Sequence, residues 1–213
     1  MNEFYFYTKL DQTVLLGRKA RTIPELLDGI QTVPEASIYF HTHRYLQQHH
    51  YLSPEPPNDF AYWTTGVLND AELGEQLSSI DIIRFGSIQS LRQEFIALLQ
   101  EYNQKAEKIR ECPSGQEFHF MSTQTFAFQT PYTARSLGEF RSILKRVSIS
   151  SLYYHIYDAK LRLRKGENDF SRWFRDLGFI QLADELARLD PYTYTLEGLR
   201  NKILALGEKY DKN

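Results

Sequence analysis

The spacing of apolar residues predicts amphipathic helices over most of the chain. The apolar positions of one such segment are Ile88, Leu91, Phe95, Leu98 and Tyr102. Intervals of three and four residues place them on one face of a helix, because an α-helix turns once in about 3.6 residues. A matching pattern near the end of the chain consists of Leu196, Leu199, Ile203 and Leu206.

Short stretches at the start of each half of the chain are rich in residues that favour strands. In the first half they are Phe4–Tyr7 and Thr13–Leu16, and in the second half Phe118–Met121 and Thr125–Phe128. Aromatic and β-branched side chains pack well on a pleated surface. Because only a short gap separates the two stretches of each pair, we predict a short β-hairpin at the start of each half.

Residues that start helices stand at matching places in the two halves. Thr22 and Ser136 are each followed three residues later by a glutamate, which is the pattern of a capping box. Further along, Asn58-Asp59 and Asn168-Asp169 combine an N-cap residue with an acid in the first turn, where it suits the helix dipole. Both features predict helix starts in both halves.

The two halves also share longer motifs in the same order. Ser37–His41 reads Ser-Ile-Tyr-Phe-His, and Ser151–His155 reads Ser-Leu-Tyr-Tyr-His. The triplet Asn-Asp-Phe, with a tryptophan three residues after the phenylalanine, occurs at Asn58–Phe60 and again at Asn168–Phe170. Self-similarity of this kind indicates a repeated structural unit, so we interpret the chain as an internal duplication.

From this repeat we predict a mainly α-helical (α+β) fold, an internally duplicated helical unit in which each copy opens with a short β-hairpin. The first repeat unit covers residues 1–105, a linker covers 106–117, and the second repeat unit covers 118–213. Homologous units commonly pack about a pseudo-two-fold axis. Small cores gain from fusing, so we expect one fused globular body.

Composition and charge narrow the classes of function. The chain has 213 residues, a formal net charge of −2 and a sequence pI of about 6.3, which implies neither a nucleic acid nor an anionic membrane as partner. The single cysteine, Cys112, rules out an intramolecular disulfide. No run of about 20 apolar residues and no signal peptide are visible. We therefore expect a soluble, cytoplasmic protein.

A histidine and an aspartate recur at matching positions, as His41 with Asp59 and His155 with Asp169. One interpretation is structural: a half-buried imidazole whose ring nitrogen bonds a backbone carbonyl or a helix cap, and an acid at a helix N-terminus. The other is chemical: the two side chains meet across two helices as an acid–base pair or half of a metal site. We favour the structural interpretation.

Two arginines and two tryptophans complete the candidate ligand-binding residues. Arg21 and Arg135 each stand just before a capping box, where an arginine forms either a surface ion pair or an anion clamp at a helix N-terminus. Trp63 and Trp173 are predicted to point into the core. In the alternative interpretation these rings lie beside the histidines and stack on the faces of a sugar.

Charge differs between the halves. From Arg135 to Arg175 ten Lys or Arg stand against four acids, whereas the matched stretch Arg21–Ala61 has two basic residues and five acids. Solvated helix faces explain this pattern, and so does a partner site. The candidate site for a protein partner or an anionic ligand consists of Lys160, Arg162, Arg164 and Lys165. Head-to-tail association into a homo-oligomer is a further interpretation.

The sequence contains none of the motifs of standard enzymes. It has no nucleophile elbow, phosphate-binding glycine loop, cysteine pair or His-Glu-x-x-His. His41, His43, His49 and His50 lack the His-x-x-x-His spacing that would place two ligands on one helix face. The sequence therefore indicates no catalytic residue, metal or cofactor, and it argues against an enzyme.

Several motifs resemble the family catalogued as domain of unknown function 5752 (DUF5752). The residues that carry the resemblance are Ala134–Phe140, Ser151–His155, Asn168–Trp173 and Leu189–Arg200. With degenerate forms in the first half, it covers nearly the whole chain. The resemblance implies no established activity, cofactor or catalytic residue, so no functional residue is carried over.

Besides a purely structural subunit of an oligomer, two classes of function fit these patterns. The first is a non-catalytic cytoplasmic binding, adaptor or regulatory protein that uses the basic second repeat. The alternative is a small-molecule sensor or enzyme, acting on a sugar or sugar phosphate, with paired His/Asp sites. The alternative requires each histidine and aspartate to line an open cleft together, and rings sealed in apolar packing contradict it.

Overall fold

The computed structural model describes residues 3–48, 58–159, 167–189 and 193–211. Within these residues the protein is a mixed α+β protein with one two-stranded antiparallel sheet. The sheet pairs β1 (Phe4–Ala20) with β2 (Phe118–Ala134). Helices form most of the remaining described chain, as the apolar spacing predicts.

The described parts of the two halves run in the same order, a strand followed by five α-helices. The helices of the first half are α1 (Ile23–Thr32), α2 (Glu35–Gln48), α3 (Asp59–Gly66), α4 (Ala71–Ser78) and α5 (Ile88–Lys105). Those of the second half are α6 (Leu137–Leu144), α7 (Ile149–Tyr153), α8 (Asp169–Asp176), α9 (Ile180–Ala187) and α10 (Leu196–Asp211). A 3₁₀ turn (Ile82–Arg84) precedes α5, and a π-helical turn (Tyr154–Asp158) follows α7.

The prediction of a β-hairpin at the start of each half is wrong. Phe4–Tyr7 and Thr13–Leu16 belong to the single strand β1, and the two matching stretches of the second half belong to β2. The residues between the stretches include no glycine or asparagine, which tight hairpin turns favour. Each strand therefore continues without folding back and pairs with the other strand.

Helices begin where the capping residues predict. The Thr22 hydroxyl accepts a hydrogen bond from the backbone N–H three residues later at 3.3 Å, and the Ser136 hydroxyl does the same at 3.2 Å. The side-chain oxygens of Asn58 and Asn168 cap α3 and α8 at 2.9 Å. These bonds satisfy backbone donors that a helix N-terminus leaves free.

The second helix of the second half is irregular. α7 gives way after Tyr153 to the π-helical turn, and residues 160–165 lie outside the described residues. The rings of Tyr153 and Tyr157 stack with centroids 4.5 Å apart. The Lys9 ammonium lies 4.5 Å from the Tyr153 ring centre and 2.8 Å from a carboxylate oxygen of Asp158. The turn therefore accommodates a buried, paired lysine.

The described residues form two compact units that do not coincide with the two halves. The C-terminal unit contains residues 3–10 and the described part of 125–211, and the N-terminal unit contains 11–48 and 58–124. The first residues of each strand thus belong to the unit that holds the helices of the other half. The division into repeat units at 1–105 and 118–213, with a linker at 106–117, concerns the sequence and stays a prediction.

Aromatic rings fill the core of the C-terminal unit. Phe4 and Phe6, from the start of β1, alternate with outward-facing tyrosines and are buried. The ring centroid of Phe6 lies 5.6 Å from that of Phe140, and the Phe4 centroid lies 5.4 Å from those of Phe170 and Trp173. Ring pairs at these separations add to the stability gained by burying their area.

The core of the N-terminal unit has the same composition. The Phe118 centroid lies 5.4 Å from that of Phe60 and 5.7 Å from that of Trp63. Phe120 packs directly against Gly29 of α1, where a β-carbon would come within 2.1 Å of the ring. A glycine is therefore required at this helix position to admit the strand's aromatic ring.

Two buried arginines fasten the long helices to the ends of the first helices. The guanidinium of Arg92 on α5 donates to the carbonyl of Val33 at 2.8 Å, just beyond α1. The guanidinium of Arg200 on α10 donates to the carbonyls of Leu144 and Val147 at 2.8 Å, at the end of α6. Both satisfy carbonyls that a helix C-terminus leaves free.

Candidate functional site

His155 lies in the π-helical turn of the C-terminal unit and is only 2% exposed. Its Nδ1 is 2.8 Å from a carboxylate oxygen of Asp169, the first residue of α8. Its Nε2 accepts a hydrogen bond from the backbone N–H of Tyr7 at 2.8 Å. The ring also packs against Phe4 and Phe170, with centroids 4.9 and 5.4 Å away. The imidazole therefore joins strand, turn and helix in one place.

His41 repeats this arrangement in the N-terminal unit, and it too is 2% exposed. Its Nδ1 is 2.8 Å from a carboxylate oxygen of Asp59, and its Nε2 accepts from the backbone N–H of Met121 at 2.9 Å. Phe118 and Phe60 pack against the ring. The His–Asp pairs that the sequence marks are thus direct hydrogen-bonded pairs in both units.

The hydrogen bonds of the two imidazoles assign their proton and limit their chemistry. A backbone N–H can only donate, so Nε2 of His41 and of His155 carries a lone pair and the ring proton resides on Nδ1, facing the aspartate. A metal ligand or a general base needs that lone pair for its own reaction. Because the strand N–H occupies it, the geometry favours the structural interpretation of both histidines.

The tryptophans support the same conclusion. Trp63 and Trp173 are each 5% exposed, in equivalent aromatic surroundings at the same helix position. The Trp63 indole N–H donates to the carbonyl of Gln116 at 2.8 Å. Each indole is mainly a core residue, as the spacing predicts, and only an edge is left for contact with a ligand.

Arg21 and Arg135 both form ion pairs. Arg21 lies 2.9 Å from the carboxylate of Glu111, and Arg135 lies 2.7 Å from that of Glu3. Both side chains are about half exposed or more, where an ion pair contributes little to stability. Each guanidinium already has an anionic partner within its own unit, which agrees with the surface ion pair that we weighed against an anion clamp.

A cleft of about 580 Å³ opens beside His155 in the C-terminal unit. His155, Asp169 and Trp173, three of the sequence-predicted site residues, line it together. The other lining residues are Glu3, Phe4, Tyr5, Tyr7, Tyr154, Arg172 and Asp176. Aromatic faces and charged groups therefore converge on a concave surface, which is typical of a small-molecule site.

Several lining residues of the cleft do not follow from the sequence reasoning. Tyr5 and Tyr7 alternate with the buried Phe4 and Phe6, and that alternation is the signal that sends their rings to the opposite face of β1. Arg172 and Asp176 are four residues apart on the exposed side of α8, a spacing that makes helix neighbours. The pattern indicates the outward faces, but only the fold shows that they meet.

Charge in the cleft is predominantly negative. The acids Glu3, Asp169 and Asp176 line it with one arginine, Arg172, and Arg135 pairs with Glu3 from beside the cleft at 2.7 Å. The Tyr5 hydroxyl donates to Glu3 at 2.7 Å, and this bond, followed by the bond from Arg135, holds the pKa of Glu3 below its usual value. Glu3 is therefore ionised at neutral pH, and because Arg135 offsets its charge, the excess of negative charge at the cleft is small.

A larger groove of about 730 Å³ lies in the N-terminal unit, along α4, the 3₁₀ turn and α5. None of the sequence-predicted site residues lines it. Its charged side chains are paired in part, since Lys105 lies 2.5 Å from Glu101 on the same helix. Tyr102 at its edge donates to Asp70 at 2.5 Å, and burial, followed by this bond, raises the pKa of Tyr102 to about 12.

Other candidate chemistry is limited in the described ranges. Within residues 3–48, 58–159, 167–189 and 193–211, no group of three or more His, Cys, Asp or Glu residues is placed to hold a metal ion. Cys112 is buried, and burial raises the pKa of its thiol, so it lacks the activation of a nucleophile.

The basic residues Lys160, Arg162, Arg164 and Lys165 lie outside the described residues, as do His49 and His50. No described helix is long and apolar enough to cross a bilayer.

The fold and the paired sites define a class of α+β protein in which a buried histidine in each unit binds a strand and an aspartate. A family model for proteins of unknown function, DUF5752, matches residues 1–208, so the chain belongs to this family. A solved structure described as that of OrfY from Thermoproteus tenax is 29% identical, with a TM-score of 0.83, and the alignment covers 100% of this chain and 97% of that chain. No curated protein matches the chain.

Proposed function

We propose that this chain is a non-catalytic binding protein whose ligand site is the cleft beside His155. The observation that carries the proposal is that His155, Asp169 and Trp173 line one concave surface together with three tyrosines. The His155 ring nitrogens are both bonded within the fold, so the histidine holds the wall of the cleft in place and leaves no lone pair for proton transfer.

The chemistry of the cleft favours a neutral polyhydroxylated ligand such as a sugar. Tyrosine rings offer apolar faces to the C–H surface of a sugar ring, and carboxylates and a guanidinium bond its hydroxyl groups. Glu3, Asp169 and Asp176 outnumber Arg172 and the Arg135 that pairs with Glu3, and this excess of negative charge disfavours a sugar phosphate, which the sequence alone left open. The proposed ligand class is therefore the sugar without a phosphate.

A second proposal concerns the basic residues of the second half. The excess of Lys and Arg from Arg135 to Arg175 supports an adaptor role, in which an anionic ligand or a protein partner docks at Lys160, Arg162, Arg164 and Lys165. A cytoplasmic location and self-association into a homo-oligomer also stay predictions.

We also propose that the chain arose by internal duplication. The same order of strand and helices in both halves supports this, as do the equivalent bonds of His41 and His155 and of Arg92 and Arg200. The expected packing of the two copies about a pseudo-two-fold axis stays a prediction.

The ligand proposal is tested by calorimetry with glucose, maltose and sucrose, and with glucose 6-phosphate as the anionic probe. We expect a neutral sugar to bind, the phosphate to bind more weakly, and Tyr5→Ala or Asp176→Asn to lower affinity about tenfold, the cost of one hydrogen bond to a charged group. His119→Ala is the matched control, because His119 holds the place of Tyr5 in the other strand.

Two results would contradict the ligand proposal. One is an absence of heat with every neutral sugar at millimolar concentration. The other is binding that Tyr5→Ala and Asp176→Asn leave unchanged, which would place the ligand elsewhere on the protein.

A further inference from the structure

The first residues of each strand are bound to helices that come from the other half of the chain. Phe6, fully buried in β1, packs on Phe140 of α6, and its neighbour Phe4 packs on Phe170 of α8. In the N-terminal unit Phe118 packs on Phe60, and Phe120 packs on Gly29. Each unit therefore takes an aromatic-x-aromatic segment that its own half does not supply.

Polar contacts fix these strand segments residue by residue. The N–H of Tyr7 bonds His155, and the hydroxyl of Thr8 lies 3.0 Å from that of Ser148. Lys9, whose side chain is 1% exposed, pairs with Asp158 at 2.8 Å. A buried lysine with a carboxylate partner and a part-buried N–H bonded to a histidine are specific to one register, because a shift by one residue would leave both unpaired.

We propose that the helices of each half form a binding surface, called its receptor, for the first residues of the strand of the other half. The two halves would then recognise each other through these strands without a covalent link between them. The receptor of the second half is the surface of α6, α7, the π-helical turn and α8 that takes residues 3–9. The strand that occupies this receptor comes from the first half, because the strand segment of the second half, residues 118–124, is part of the N-terminal unit. This proposal does not depend on the ligand proposed above.

The chain offers a place to cut it without touching either receptor. Ser114 and Gly115 form an exposed turn between α5 and β2. A protease recognition sequence inserted between them allows the folded full-length protein to be cleaved into two fragments. We expect the fragments to elute together at the mass of the intact chain and to keep its circular dichroism.

A disulfide tests whether the exchanged strand holds the fragments together. In a Cys112→Ser background, Thr8→Cys with Ser148→Cys should form a disulfide that links the two fragments after cleavage. Pro34 holds in the first half the place that Ser148 holds in the second, so Thr8→Cys with Pro34→Cys is the matched control and should form none. In the cleaved protein, Phe6→Ser should weaken association more than tenfold, whereas Tyr5→Ser on the exposed face of the strand should not.

Three outcomes overturn the proposal. The fragments separate into two folded bodies, which means that each half completes itself with its own strand. They separate and unfold, which means that the covalent link is needed. The Thr8–Pro34 pair forms the disulfide and the Thr8–Ser148 pair does not, which means that the strands are not exchanged.

Discussion

The backbone N–H of Tyr7 donates a hydrogen bond to Nε2 of His155, 2.8 Å away and 148 residues later in the chain. The N–H of Met121 makes the equivalent bond to His41 over 80 residues. Both bonds join a strand from one half to a helical segment from the other. A strand-binding role therefore explains why a histidine stands at the same place in both halves.

Replacing either histidine should destabilise the protein. We expect His155→Ala and His41→Ala each to lower the free energy of unfolding by about 2–4 kcal/mol, because each leaves a cavity and a part-buried strand N–H without its acceptor. Urea unfolding followed by circular dichroism measures the change. The exposed His119→Ala should stay within about 0.5 kcal/mol of wild type, and equal losses at all three positions would contradict the assigned role.

Two glycines on matching helices should respond to alanine in opposite directions. Gly29→Ala places a methyl group within 2.1 Å of the Phe120 ring, so we expect a loss of about 1–3 kcal/mol from overpacking. Gly138 on α6 has open space around it, so Gly138→Ala should gain up to about 1 kcal/mol from helix propensity. Thermal unfolding of both variants measures these changes in stability. An unchanged stability of Gly29→Ala would mean that the Phe120 ring does not pack against Gly29.

The buried arginines should matter far more than an exposed one. Arg200→Met and Arg92→Met remove charge-assisted bonds to buried carbonyls, and we expect each to cost about 1.5–3 kcal/mol in denaturant unfolding. Arg84→Met serves as the control, because the Arg84 side chain is largely exposed and its expected effect is below about 0.5 kcal/mol. Effects of similar size in all three variants would argue against the carbonyl contacts.

Tyr102 should make the stability fall at high pH. Its pKa of about 12 in the folded protein exceeds the value of about 10 for an unfolded chain, so the folded state holds the proton longer. Its stabilising contribution is complete below about pH 10 and is lost as the pH rises through the folded pKa. Tyr102→Phe should therefore flatten this part of the stability curve, whereas the exposed Tyr62→Phe should not. An unchanged curve for Tyr102→Phe would contradict the assignment.

Much of the local structure follows from the sequence because its causes are local. Thr22 and Ser136 start helices through a bond to an N–H three residues away, a contact that sequence spacing fully determines. Trp63 and Trp173 are buried because an i, i+3 pairing with a phenylalanine puts both rings on one helix face. Repetition in both halves strengthens each of these predictions.

The partners of the strands cannot be derived in the same way. The alternation that buries Phe4 and Phe6 indicates which face of β1 is apolar, but this face could pack on any apolar helix surface. The hairpin prediction failed for this reason, since closeness along the chain suggested a partner that the fold does not use. The lining of the cleft beside His155 does not follow from the sequence in full either, because Tyr5 and Arg172 come to line it together only once the strand has packed on the helices of the other half.

Phe4 and Trp173 pack against each other but lie near opposite ends of the sequence, which affects the order in which the protein folds during synthesis. A nascent chain that leaves the ribosome from its N-terminus exposes the aromatic segment of β1 long before α8 has been synthesised. The N-terminal unit can close once residue 124 has emerged, whereas the C-terminal unit has to wait for the last helix. Synthesis therefore passes through a stage with an unpaired aromatic strand, which is the kind of segment that chaperones shield from aggregation.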